Sequence, residues 1–421
     1  MTAQPPTPAA LGARLLVRTV EVPDPGQLLP RLPDPAGCVW IRHGEGLIAW
    51  GEALRLAPSG ERRFDDTSAL LRSVFETAQI DDPLRLPGTG PVAFASFTFD
   101  PGSAGSVALV PRTILGRRAG RAWVTTIADA GAGAAPVPPA LGPVQALPAP
   151  GRVRYAGSSL PELRWLEAVA TAVRAVSAGE LTKVVLARDV LVWAGDALDP
   201  RALALRLAER FAGCYTFVCE GLVGATPELL VRRTGDVVES LVLAGSARRG
   251  ADPVDDARAG AQLLASDKDR AEHEPAVESV REVLSELCEQ LEVDAQPWLL
   301  RLDNVQHLAT AARGRARASQ SALELAGRLH PSAAVCGLPS DAAMASIRRL
   351  EGMDRGRYSG PVGWVDARGD GEFGIALRCA QLDGDRARLF AGAGIVAGSL
   401  PEAELEETRL KLLAMQSAFR D

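Results

Sequence analysis

The chain is short of the features that mark several large classes of protein. Its 421 residues hold no basic cluster and no aromatic-rich basic stripe, and the formal net charge is −6, which argues against a nucleic-acid partner. No apolar run is long enough to span a bilayer, and the opening MTAQPPTPAALGARLLVRTV lacks the layout of a signal peptide. A cytoplasmic protein with no membrane partner is therefore expected. Cys38, Cys214, Cys219, Cys288, Cys336 and Cys379 never fall in C-x-x-C spacing, and they read as reduced core residues. His43, His273, His307 and His330 lack zinc-ligand spacing, which argues against a structural zinc site. No short-period repeat is visible.

What is present is a large apolar fraction, 47% of residues, enough for a sizeable core. Residues 1–130 alternate short apolar runs with turns (GCVWI, GLIAWG, PVAFASFTF, SVALVPR, AWVTTIA), a pattern of antiparallel strands with one helix near DTSALLRSVFETA. The stretch 131–151 is rich in Gly, Ala and Pro and reads as an exposed connector. Beyond it, LPELRWLEAVATAVRAVSAGE has helical periodicity ending at Gly179, followed by a strand from Lys183. Next come a helix near DPRALALRLAERFA, the strand CYTFVCE, and a hairpin that turns at Thr234-Gly235-Asp236. Helices are predicted from about 253 to 292, then the strands GPVGWVDARG, GEFGIALRCAQL and ARLFAGAGIV, and a closing helix. Hairpin-linked strands interleaved with long helices predict an α+β fold of antiparallel sheet packed by helices.

Three segments carry charge where chemistry could use it. GELTKVVLARDV (179–190) places Lys183 inside the start of an apolar strand. A lysine there either snorkels to solvent or is a partly desolvated, tunable base. In the last helix, SLPE (399–402) predicts a capping box of Ser399 with Glu402. Glu404, Glu407 and Lys411 share one face of that helix, as a solvated ladder or as a site. In SDKDRAEHE (266–274), Asp269 and Glu272 share a face, and Pro275 is expected to bend or restart the helix. Carboxylates from two helices suit Mg²⁺, which takes one or two of them and fills its remaining positions with water or substrate oxygens. GAGIVA (392–397) fits G-x-G-x-x-A, but the next helix opens too late for a dinucleotide site. Its glycines still let backbone N–H groups approach an anion.

Taken in order, nine blocks resemble the chorismate-utilising enzymes, and among them isochorismate synthases most closely. They are KVVLAR (183–188), GATPELL (224–230), LAGSARRG (243–250), KDRAEHE (268–274), HPSAAVCGLP (330–339), YSGPVGW (358–364), ALRCA (376–380), AGAGIVAGS (391–399) and ELEETRLK (404–411). The resemblance covers about 157–417. It implies one large domain spanning 1–421, with two antiparallel sheet halves flanking a central cleft for Mg²⁺ and chorismate. Residues 157–417 would be the catalytic region, and the less motif-rich 1–156 would complete the sheets.

By the resemblance, Lys183 matches the base that activates water and Glu228 the acid that protonates the departing hydroxyl. Glu272 and Glu407 match Mg²⁺ ligands, with Glu404 adjoining. Arg378, Lys411 and the backbone around Gly392 and Gly394 match the groups that hold the substrate carboxylates, and His307 and Ala244 line the site. Read alone, Glu228 could open a helix after Thr-Pro, and His307 could be a satisfied core histidine. Water adding at C2 while the C4 hydroxyl leaves needs a base at one end and an acid at the other. The acid must hold its proton near neutral pH.

Within the family, anthranilate synthases usually place Gln where Lys183 stands, and aminodeoxychorismate synthases carry Lys where this chain has Ala244. Both differences disfavour ammonia chemistry and a glutamine amidotransferase partner. Salicylate synthases share the Lys183/Glu228 pair and are the alternative; HPSAAVCG lacks the threonine they tend to carry there. A non-catalytic chorismate-binding protein is a third reading, disfavoured by the complete base, acid and carboxylate set. The product would serve menaquinone or siderophore biosynthesis.

Overall fold

A computed structural model describes residues 14–132, 136–140, 144, 146–149, 151–303 and 305–420. The N-terminal layout discussed above and part of the 131–151 connector lie outside these residues. The described part of that connector carries no strand or α-helix.

Strand alternation shows how the layers form. Along Cys38–Arg42, Cys38 and Trp40 point into one core while Val39 and Ile41 enter another. The same period of two divides Phe217 and Leu222 from Val218 and Val223 in Tyr215–Cys219 and Leu222–Thr226. Both sides of this sheet are therefore dry. One side faces a second sheet, which contributes Phe94, Val231, Val362 and Phe373 to the shared core. The other is covered by the helices Pro200–Arg210 and Pro401–Ala418, whose Leu203, Leu207, Leu412 and Met415 are buried there.

Among the described residues the sheets have 13 and 10 strands, and every strand pair but one is antiparallel. Leu15–Val22 runs parallel to Gln79–Asp81. The first sheet brings Lys183–Ala194 beside Arg386–Ile395, and farther along it pairs Tyr215–Cys219 with Cys38–Arg42. The second pairs Val237–Arg248 with Val305–Ala316 and Pro361–Asp366 with Val92–Ser96. Strands from the first 130 residues thus enter both sheets.

Most predicted elements are present, including the helix Glu162–Ser177 and the two-residue hairpin between Thr234 and Val237. Three expectations fail locally. The capping box does not form: the last helix has Leu400 at its N-cap, one residue late, so Glu402 is not at the third helical position. Ser399 Oγ instead accepts from the Val396 N–H at 3.2 Å. Pro275 does not restart its helix, which runs unbroken from Asp267 to Leu287. The carbonyl that Pro275 leaves unpaired belongs to Ala271, an exposed residue that water can reach. Residues 288–292, predicted helical, form the strand Cys288–Val293, whose ladder with Val305–Ala316 overrides local preference.

Candidate active site

Lys183 opens the strand Lys183–Ala194, and its side chain is 0% exposed, so it does not snorkel. Its Nζ donates to the backbone carbonyl of Glu272 at 3.1 Å and lies 3.5 Å from Glu272 Oε1. Glu272 comes from the helix Asp267–Leu287 and is itself buried. Gly394 makes this approach possible: a Cβ there would sit 2.1 Å from Glu272 Oε1. The lysine and the strand Arg386–Ile395 are thus brought against one carboxylate.

Glu272 also borders a small cavity between the sheets. Of the residues expected at the site, Glu228, Ala244, Glu272, His307, Arg378, Gly392, Gly394 and Lys411 line it. Lys183, Glu404 and Glu407 lie behind the wall. Glu228 follows Pro227 and precedes the strand Leu229–Thr234, so it opens no helix. Burial pushes its carboxyl up to about 8, against the pull of Lys183, Arg378 and Lys411. At neutral pH this group is an acid with a proton to give.

The opposite chemistry gathers around Arg378. This residue has a positive φ of 47° and is buried. Its Nη2 donates to His307 Nε2 at 3.3 Å, so the other ring nitrogen of His307 donates to Ser246 Oγ at 2.8 Å. Burial, reinforced by Arg378 and Lys411, keeps His307 neutral, well below the usual histidine range. Arg378 Nε is buried without a hydrogen-bond partner. A guanidinium with a spare donor on a cavity wall is suited to a carboxylate. Lys411 Nζ donates to the Gly392 carbonyl at 2.9 Å and pairs with Glu407 Oε1 at 2.5 Å.

The carboxylates form a connected group rather than a solvated ladder. Glu404 is 1% exposed and held by Lys268 at 2.7 Å. Glu272 is raised above the usual carboxylate value by burial, with Glu407 and Glu404 adding to the rise and Lys183 opposing it. Among the described residues no three His, Cys, Asp or Glu side chains come close enough to hold a metal by themselves. Mg²⁺ does not require that, since it binds through one or two carboxylates plus water or substrate oxygens. A buried carboxylate destabilised by its neighbours, together with hard oxygen donors throughout, fits such an ion.

A second cavity has a different character. There Glu372 accepts from Trp40 Nε1 at 2.7 Å, Arg118 Nη2 at 2.8 Å and Arg232 Nε at 3.1 Å. These donors outweigh burial and hold Glu372 below the usual carboxylate value.

Sequence reading missed Ser246, Tyr358 and Ser359, which also line the first cavity. The last two stand inside the YSGPVGW block. The Tyr358 ring stacks on Phe390 at 4.9 Å, and its hydroxyl would be 3.1 Å from a Cβ on Gly392. All six cysteines are buried and free, and no helix among the described residues is long and apolar enough to cross a membrane.

Comparison with known proteins places this geometry. The isochorismate synthase EntC of Escherichia coli is 42% identical over 267 residues, covering 62% of this chain and 68% of that one. The salicylate biosynthesis isochorismate synthase of Pseudomonas aeruginosa is 37% identical over 407 residues, 90% of this chain and 84% of its relative. The structure of MenF, the menaquinone-specific isochorismate synthase of Escherichia coli, superposes with a TM-score of 0.80 at 25% identity, covering 100% of this chain and 97% of that one. The model of the chorismate binding enzyme family matches residues 143–420, a span that holds every residue of the first cavity, and the chain belongs to that family.

Proposed function

We propose that the protein converts chorismate to isochorismate, adding water at C2 as the C4 hydroxyl leaves. The observation that carries this reading is the buried Glu228 on the cavity wall, whose carboxyl burial pushes up to about 8, with the buried Lys183 next to the same cavity. The relatives named isochorismate synthases support it.

Lys183 takes a proton from the attacking water. Glu228 gives its proton to the leaving hydroxyl, which departs as water, so one water enters and one leaves. Arg378 and Lys411 hold the substrate carboxylates, aided by backbone groups at Gly392 and Gly394. Neutral His307 orients Arg378, and Ala244 leaves room for the ring. Glu272 and Glu407 would hold Mg²⁺, with Glu404 behind them, and the bound ion would withdraw electrons from the ring through its carboxylate. Chorismate is the only reactant consumed, the water added being balanced by the water released, so no glutamine amidotransferase subunit is needed. The setting is a cytoplasmic menaquinone or siderophore pathway.

Chromatography of the products from chorismate plus Mg²⁺ tests the assignment. Isochorismate in reversible balance with chorismate is expected, because similar bonds are made and broken. Salicylate and pyruvate as main products at neutral pH would move the protein to the salicylate synthases, and no turnover would leave it a binder.

A further inference from the structure

The strand that carries Lys183 has an incomplete outer edge. Arg386–Ile395 pairs with it along one side. On the other side Lys183 and Val184 meet Leu338 and Gly337, and Val192, Trp193 and Ala194 meet Val153–Tyr155. Between these two ladders, Val185 and Ala187 direct their backbone groups outward with no strand to receive them. Every buried backbone group needs a partner, and here side chains supply most of them. Arg355 Nη2 donates to the Val185 carbonyl at 2.8 Å. Glu351 Oε1 accepts from the Ala187 N–H at 2.7 Å. Trp165 Nε1 donates to the Ala187 carbonyl at 3.2 Å, and the Val185 N–H reaches the Cys336 carbonyl at 2.8 Å.

Glu351 and Arg355 are also an ion pair. Arg355 Nη2 lies 2.5 Å from Glu351 Oε1, Arg355 Nε lies 2.9 Å from Oε2, and the side chains are 1% and 2% exposed. Arg355 Nη1 donates to the Val335 carbonyl at 2.8 Å and to Ser359 Oγ at 3.4 Å. All five guanidinium N–H groups are therefore engaged, and the guanidinium lies over the Phe99 ring at 4.1 Å from its centroid. Val185, Val335 and Ser359 all line the first cavity. One ion pair joins three separate segments of its wall, and it grips the strand two and four residues beyond Lys183.

A surface ion pair of this spacing would be worth a few tenths of a kcal/mol and would do nothing specific. A fully buried one is costly to desolvate and often no more stabilising than an apolar pair of the same volume. Its use here is geometric: a carboxylate accepts where a neighbouring strand's carbonyl would, and a guanidinium donates where its N–H would. Lysine or an apolar residue at 355 could not fill all five directions. We infer that Glu351 and Arg355 are positioning residues for the reaction: together they replace a missing strand and fix the register and depth from which Lys183 acts.

The inference rests on the reading of Lys183 as the base, and a double-mutant cycle separates the two. Glu351→Gln keeps shape and an acceptor for Ala187 but removes the charge that organises Arg355. Measured per folded molecule, well below the unfolding temperature, it should lower kcat by about 10- to 100-fold, the scale of a small misplacement of a reacting group. The KM for chorismate should stay within about threefold, because Arg378 and Lys411 are untouched. In a Lys183→Gln background the same change should cost nothing further, since the group it positions is gone. If Glu351→Gln instead multiplied the Lys183→Gln loss, or moved KM and not kcat, the pair would be scaffolding only and this inference would fall. If Lys183→Gln by itself kept full turnover, the base assignment would fall first and this inference with it. Should Glu351→Gln not fold, Arg355→Lys carries the same cycle, keeping the cation while losing the five-directional fork.

Discussion

Glu228 and Glu372 stand close together in the second sheet, one just before Leu229–Thr234 and the other in the neighbouring strand Gly371–Ile375. Both are buried, at 4% and 5% exposure, and for both burial is the largest influence and favours the protonated form. They end in opposite states. Glu372 receives an indole and two guanidinium groups, which pull it below the usual value. Glu228 receives one backbone N–H, from Leu243, and feels Lys183, Arg378 and Lys411 only through space. The position of a carboxylate in a fold thus does not settle its charge; the number of donors aimed at it does. One of these cavities keeps an anion, and the other keeps an acid.

The largest effect should come from deleting the chemistry on the acid side of that contrast. Glu228→Gln, and Lys183→Gln opposite it, should each lower turnover at saturating chorismate and Mg²⁺ by about 10²–10⁴-fold, or about 3–5 kcal/mol of barrier. The fold should survive. Turnover within about threefold of the parent would return either residue to a structural role.

Glu407 pairs with Lys411. Glu407→Gln should weaken the response to Mg²⁺ by about 10- to 100-fold, read as a shift in the Mg²⁺ titration of activity, with little change in the unfolding midpoint. An unshifted titration removes Glu407 from the metal site. Glu272→Gln should also abolish the response, but Glu272 is buried against Lys183, so some stability should go with it.

Glu372→Gln breaks the other side of the comparison. It strands Arg118 and Arg232, so unfolding free energy should drop by about 2–3 kcal/mol, below the usual cost of a broken buried pair because both arginines keep some solvent contact. Turnover should be retained. Denaturant melts show this directly, and a loss of activity without loss of stability would couple the two cavities.

The last test is a pair of opposite pH slopes. Glu372 is lowered on folding, so its contribution is present above the ordinary carboxylate value and is lost as pH falls. Glu228 is raised from 4.5 to about 8, so its contribution is present below 4.5 and is lost as pH rises through about 8. Relative to the parent, Glu228→Gln should therefore gain stability by about 1.4 kcal/mol per pH unit inside that window and level off above it. The activity of the parent should decline above pH 8 for the same reason. Parallel stability curves for parent and variant would mean that Glu228 is ionised after all.

Much of this was legible in the residues. Lys183, Glu228, Glu272 and Arg378 sit in compact blocks whose order points to one family, and the structure brings them to one cavity or its wall. The hidden parts share a physical reason. Val305–Ala316, the strand of His307, is built of small and basic residues with no clear period, and only its partner strands make it a strand. Ser246 and Ser359 are lone hydroxyls, which carry no pattern. Glu351 and Arg355 look like any exposed i, i+4 pair until a strand edge is seen to need them. The capping box failed by a single residue, a shift that local sequence does not encode.

The way the strands interleave has a consequence for how the protein is made. Val92–Ser96 waits for Pro361–Asp366, and Cys38–Arg42 waits for Tyr215–Cys219. The strand of Lys183 has no neighbour along most of its length until Arg386–Ile395 has left the ribosome. Neither sheet can close until these late strands have emerged, so the early strands spend that time with unpaired edges and exposed apolar faces. Such a chain should fold slowly and late, and its nascent N-terminal third is the part most in need of a chaperone.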